Sequence, residues 1–99
     1  MLNVGELQIN SNFLLAPMSG VTDYPYREIV KQFKPGLVFS EMIASRALLT
    51  QNSKTMKMIK KTDNHLSAVQ IAGCDPEVMA EASKICEDNG ADIIDINMG

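Results

Sequence analysis

The sequence predicts an α/β fold built on a parallel sheet, and three observations carry the prediction. Short apolar runs at 13–16, 37–40, 66–72 and 93–98 alternate with longer segments of helical period. Helix-start chemistry, Asp23 with Pro25 and Asp75 with Pro76, stands after the first and third runs. Helix-stop chemistry, Pro35-Gly36 and Asn89-Gly90, stands before the second and fourth. Strand and helix in alternation imply parallel strands joined by right-handed crossovers.

The elements follow in order. Residues 7–9 and 13–16, separated by Asn10-Ser11-Asn12, read as a hairpin whose second arm is the first main strand. Asp23 is the N-cap of a helix running to Gln32 or Phe33, with Tyr26, Ile29, Val30 and Phe33 as its apolar side. A second strand covers 37–40. Residues 45–59 are helical with a break near Asn52-Ser53, and 66–72 form the third strand. The helix opened by Asp75 has an acidic first turn at Glu77, which suits the helix dipole. It buries Val78, Met79, Ala82, Ile85 and Cys86 and hands over to a fourth strand at 93–98.

Composition narrows the function. With 99 residues there is room for one small domain, and 45% apolar with 21% charged residues is ordinary for a globular protein. No apolar run approaches the roughly 20 residues of a membrane helix, and Met1 to Glu6 lacks the layout of a secretion signal. Cys74 and Cys86 form no CxxC pair, and His65 stands alone in a polar turn where exposure is expected. No metal site is predicted, and a reducing cytoplasm is the expected compartment. A net charge of −3 gives no general attraction to nucleic acid. The basic cluster Lys54, Lys57, Lys60 and Lys61 reads as a solvated helix face, with RNA contact as the sharper alternative.

Four polar residues break the pattern. Central strands of a parallel sheet are apolar on both faces, yet Gln70, Asp95 and Asn97 lie within strands, and Glu41 lies just past one. All four fall towards the C-terminal ends of the strands, the edge where parallel α/β folds bind ligands. Each alone reads as a loop cap satisfied internally; together they mark a site. No phosphate loop of the GxGxxG or GxxxxGKS kind follows any strand, which disfavours nucleotide kinases and common dinucleotide folds.

Ala16-Pro17-Met18-Ser19-Gly20-Val21-Thr22-Asp23, followed by Pro25 and Arg27, closely resembles the opening signature of the tRNA-dihydrouridine synthases. Ser40-Glu41-Met42, Val69-Gln70-Ile71 with Gly73, and Asp95-Ile96-Asn97-Met98-Gly99 resemble the family's later blocks in order and spacing. The resemblance implies that residues 1–99 are the N-terminal half of a (β/α)8 TIM barrel: four parallel strands and three helices, preceded by a short hairpin. The family barrel holds FMN at its C-terminal mouth, is reduced by NADPH, and reduces uridine in tRNA to 5,6-dihydrouridine.

By the same resemblance Ala16, Pro17 and Met18 lie beneath the flavin, and Gln70 hydrogen-bonds the polar edge of its ring system. Asn97 faces the target uridine, and Glu41 shapes the pocket floor. The family's catalytic cysteine follows the Asn-Met-Gly of the fourth strand, and this sequence stops at Gly99, so no catalytic residue is assigned. Neither Cys74 nor Cys86 carries over to that role. On this reading the remaining strands, the phosphate loops and most of the tRNA grip lie outside the chain. The chain alone is expected to be inactive and to self-associate through open sheet edges. The alternatives are a non-catalytic half-barrel acting as a folding or association unit, and another FMN barrel such as a dihydroorotate dehydrogenase relative.

Overall fold

The computed structural model describes residues 2–99. Its first element is a hairpin of β1 (Leu2–Val4) and β2 (Leu7–Ile9), antiparallel with Val4 opposite Leu7. The turn is therefore Gly5-Glu6, not the expected 10–12 segment, and the expected pairing of 7–9 with 13–16 is replaced. A two-residue hairpin turn needs positive φ at its first position, and Gly5 supplies it at 58°. Ile9 is buried against Leu37 and Ala68, with Phe39, Leu66 and Ile93 packed around them. The hairpin thereby covers the N-terminal end of the parallel sheet and leaves the opposite end open.

Residues 13–16 run beside the next strand as expected, though only Leu15 forms a bridge, parallel to Val38. Hydrogen bonds from Leu15 N–H to the Leu37 carbonyl (3.0 Å) and from Gly36 N–H to the Phe13 carbonyl (2.9 Å) fix the alignment. The second strand is split into β3 (Val38–Phe39) and β4 (Ile43–Ala44), interrupted by Ser40-Glu41-Met42. Both pair in parallel with β5 (Ser67–Ala72), and β6 (Ile93–Ile96) pairs with β5 from Ala68 to Ile71. Since β6 occupies one edge of β5, β3 and β4 share the other. The four strand positions thus stand side by side in chain order, as in the wall of a (β/α)8 barrel, and the predicted fold class holds.

Three helical layers connect the strands. α1 (Tyr24–Val30) starts at Asp23, whose carboxylate accepts from Tyr26 N–H at 3.0 Å, and runs on into a single 3-10 turn, Lys31–Phe33. The second layer is broken as predicted: α2 (Ser45–Thr50) ends at Gln51 with φ 50°, and Asn52 caps α3 (Ser53–Met58) through Thr55 N–H at 2.9 Å. α4 (Pro76–Asp88) starts at Asp75, which accepts from Glu77 and Val78 N–H at 2.9 and 3.2 Å. Between helices and sheet lies the main core of Ile43, Leu48, Ile59, Val69, Ile71, Ala82 and Cys86. Each fully buried aliphatic side chain there contributes about 1.5–3 kcal/mol, which is what fixes strand register against slippage.

One expectation fails on α1. Ile29 and Phe33 are 59% and 71% exposed and Tyr26 is exposed, whereas Arg27 is the buried residue at 1%. The space beneath the helix is lined by backbone carbonyls, which need donors rather than methyl groups. Arg27 Nε donates to Thr22 O (3.1 Å), Nη1 to Lys60 O (2.7 Å) and Nη2 to Met58 O (3.0 Å). His65 also differs from expectation. It is half-buried, with its ring nitrogens 2.8 Å from the carbonyl oxygens of Leu66 and Pro35. Among the described residues no helix is long and apolar enough to cross a membrane, and no cluster of side chains suited to a metal is present.

Candidate cofactor site

The open, C-terminal end of the sheet gathers the segments singled out in the sequence. After Leu15 the chain turns sharply at Met18: its carbonyl accepts from Val21 N–H (3.0 Å) and Thr22 N–H (2.9 Å), and its own N–H donates to Thr22 Oγ1 (3.1 Å). Thr22 is fully buried, so this turn is anchored from below. Gly20 sits at φ 73°, a left-handed conformation in which any Cβ would be strained. The turn leaves Ala16 and Met18 exposed and Pro17 half-buried, an apolar surface at the strand ends.

The break in the second strand ties this turn to the rest of the site. The Glu41 carboxylate accepts from Gly20 N–H at 2.8 Å. The Ser40 hydroxyl donates to the Glu41 carbonyl at 2.8 Å and accepts from Gln70 N–H at 3.1 Å. Gln70 Nε2 donates to Asp95 Oδ2 at 2.7 Å, and the two residues are register partners on β5 and β6. A continuous series of hydrogen bonds therefore crosses the ends of all four strands, from Gly20 through Glu41, Ser40 and Gln70 to Asp95. Of the polar residues that broke the strand pattern, Gln70 and Asp95 are partners of one another and Glu41 is satisfied by Gly20 N–H, as partly buried polar groups require.

Glu41 thus holds the Met18–Gly20 turn through Gly20 N–H. Asn97 is exposed; its N–H donates to the Ile71 carbonyl at 3.0 Å and its Oδ1 accepts from Gly99 N–H at 2.9 Å. That leaves the Asn97 amide nitrogen as the group it can offer outward.

Two contributors enter the sequence reading only as parts of the resembling motifs, with no site role assigned. Ser40, fully buried, joins two strands, and a hydroxyl ending an apolar run was the available signal. Arg27 supports the turn at one remove by holding Thr22 O. Burial pulls its guanidinium below the usual arginine range, opposed by the nearby Asp23 and Glu41 carboxylates. Helical periodicity alone does not separate it from a surface arginine; its place in the resembling motif was the available signal.

The remaining titratable groups lie apart. Cys74 is an exposed free thiol, while Cys86 is buried in the core, where burial pushes its pKa up to about 11. In the basic segment, Lys61 pairs with Asp92 at 2.7 Å and Lys60 lies 4.5 Å from the centre of the Tyr24 ring. Lys54 and Lys57 remain exposed. A cleft of about 330 Å³ between α1 and α3 is lined by Tyr24, Pro25, Glu41, Lys57, Met58 and Lys60. Its walls are mostly helix side chains, and it shares only Glu41 with the hydrogen-bonded series.

A partial parallel barrel with a polar series and an apolar turn at its C-terminal mouth defines the class of ligand-binding α/β barrels. Within that class, the sequence profile of the dihydrouridine synthase (Dus) family matches residues 14–99, and the chain belongs to that family. It is 50% identical over 101 residues to a "Probable tRNA-dihydrouridine synthase" of Rickettsia bellii, covering 100% of this chain and 31% of the relative. It is 41% identical over 99 residues to "tRNA-dihydrouridine synthase B" of Vibrio parahaemolyticus, covering 99% of this chain and 31% of the relative. The chain therefore spans about a third of the length of these relatives. No solved structure matches.

Proposed function

We propose that this chain forms the flavin-binding half-barrel of an enzyme that reduces uridine in tRNA to 5,6-dihydrouridine, with FMN as cofactor and NADPH as reductant. The observation that carries the reading is the hydrogen-bonded series across the four strand ends, with the exposed Met18 turn at one end and the Gln70 carboxamide near the other. The fit to a flavin is chemical. A flavin ring system has an apolar face and one polar edge, and this edge of the sheet offers Pro17 and Met18 for the first and Gln70 for the second.

FMN, when bound, supplies the hydride chemistry. The chain's own residues do the rest. Pro17 and Met18 give the ring a platform whose backbone is fixed by Thr22 and Glu41. Gln70 orients the ring by its polar edge, where preorganised partners are most effective as charge develops. The Asn97 amide nitrogen is a donor for a uracil carbonyl. The target base must leave its stack to reach such a site, and the exposed Lys54 and Lys57 are two cations of the basic segment with no ion pair among the described residues, suited to a phosphate backbone. The relatives' names support tRNA as the substrate.

A second reading is favoured by a separate observation. Phe13, Leu14, Ile29 and Phe33 are 52%, 41%, 59% and 71% exposed. These exposed apolar side chains make the chain an association unit, either with more barrel or with a second copy.

Titration of FMN with the chain, followed by flavin fluorescence and the visible absorption band, tests the function. Saturable binding that Gln70→Ala weakens is expected. No binding at high chain concentration overturns the assignment for this chain.

A further inference from the structure

Asp95 is the member of the hydrogen-bonded series to which the proposed function gives no task. A carboxylate only accepts hydrogen bonds, so the Gln70 amide atom 2.7 Å from Asp95 Oδ2 is the NH2 group. This contact settles which way round the carboxamide sits. Gln70 is held twice more: its backbone N–H is bound by Ser40 Oγ, and its strand position is fixed opposite Asp95. The amide oxygen has no protein partner among the described residues, and it is not sealed from solvent.

An unanchored glutamine can present either its oxygen or its nitrogen to a ligand by rotating the amide. An anchored one presents a fixed choice. We infer that Asp95 is a positioning residue that locks the Gln70 carboxamide with its oxygen towards the ligand, so that the site selects the N–H of a cyclic imide edge. The inference rests on the flavin reading above, where that N–H is N3–H of the isoalloxazine. Asp95 does not touch the reacting atoms; it acts by removing the alternative orientation of Gln70. A carboxylate that merely stabilised the sheet would leave ligand choice unchanged.

The test compares FMN with 3-methyl-FMN, which lacks the N3–H, on the full chain by fluorescence titration. The wild-type chain is expected to bind FMN about tenfold or more tightly than the methylated flavin, because the methyl leaves an acceptor unpaired. Asp95→Leu is expected to weaken FMN binding and to abolish the preference. Asp95→Asn keeps an acceptor oxygen and is expected to retain most of it, with thermal melts confirming that each variant is folded. Should Asp95→Leu not fold, the wild-type comparison still decides, since equal binding of the two flavins overturns the inference. Preference retained in a folded Asp95→Leu also overturns it and leaves the flavin reading standing. If the wild-type chain binds neither flavin, the flavin reading itself falls, and this inference with it.

Discussion

Replacing Arg27 with methionine isolates the least expected feature of the fold. The guanidinium is 1% exposed and donates to three carbonyl oxygens, those of Thr22, Met58 and Lys60, at 3.1, 3.0 and 2.7 Å. Hydrogen bonds from a charged donor are worth about 1.5–3 kcal/mol each. Set against them is the several kcal/mol that burying a cation costs, which the substitution relieves. Methionine fills much of the same volume but leaves the carbonyls without donors. The net expected loss is therefore about 2–4 kcal/mol, a large share of the 5–15 kcal/mol typical of a domain. For a chain of this size that lowers the melting temperature by roughly 10–25 °C. Urea unfolding followed by far-ultraviolet circular dichroism at neutral pH measures it. Because Thr22 carries the Met18 turn, the variant is also expected to lose affinity for FMN. A loss of stability under about 0.5 kcal/mol, the level of an ordinary surface substitution, refutes the reasoning and returns Arg27 to the status of a surface residue.

The other predictions concern the turn, the thiols and the exposed face. Glu41→Ala removes the acceptor for Gly20 N–H and is expected to speed hydrogen exchange and proteolysis at 18–20 while changing the melting temperature little. Cys74 is expected to react quickly with a thiol reagent and Cys86 only on unfolding, so one fast thiol is counted in the folded chain. Because the folded Cys86 thiol ionises near pH 11, above its unfolded value, its contribution to stability is fully present below the unfolded pKa and is lost as pH rises towards 11. Cys86→Ala is expected to flatten that alkaline decline, read from unfolding curves between pH 8 and 11. The exposed apolar side chains of Phe13, Leu14, Ile29 and Phe33 are expected to drive concentration-dependent association. Light scattering on Phe33→Lys with Ile29→Lys is expected to show a shift towards monomer; an unchanged mass for the pair assigns association elsewhere.

Much of this was legible in the residues because it rests on local chemistry. Asp23 and Asp75 cap helices where their side chains can reach free N–H groups, and the break expected at Asn52-Ser53 falls between α2 and α3. Gln70 and Asp95 stood out because they break an apolar strand, and they prove to be partners. What was not legible depends on long-range geometry. The hairpin was misplaced because Asn10-Ser11-Asn12 is as turn-like as Gly5-Glu6, and only pairing distinguishes them. The buried side of α1 is not legible because helical periodicity locates a stripe but not what it faces. A cavity lined with carbonyls selects arginine over isoleucine, and those carbonyls come from residues 22, 58 and 60.

Whether a flavin binds on the strand ends is decided by amide chemical-shift mapping during FMN titration of the isotope-labelled chain. The largest shifts are expected at Met18 to Gly20, at Ser40 and Glu41, and at Gln70, Asp95 and Asn97. Shifts concentrated instead at Tyr24, Lys57 and Lys60, in the cleft between α1 and α3, contradict flavin binding at the strand ends, as does a spectrum that FMN leaves unchanged.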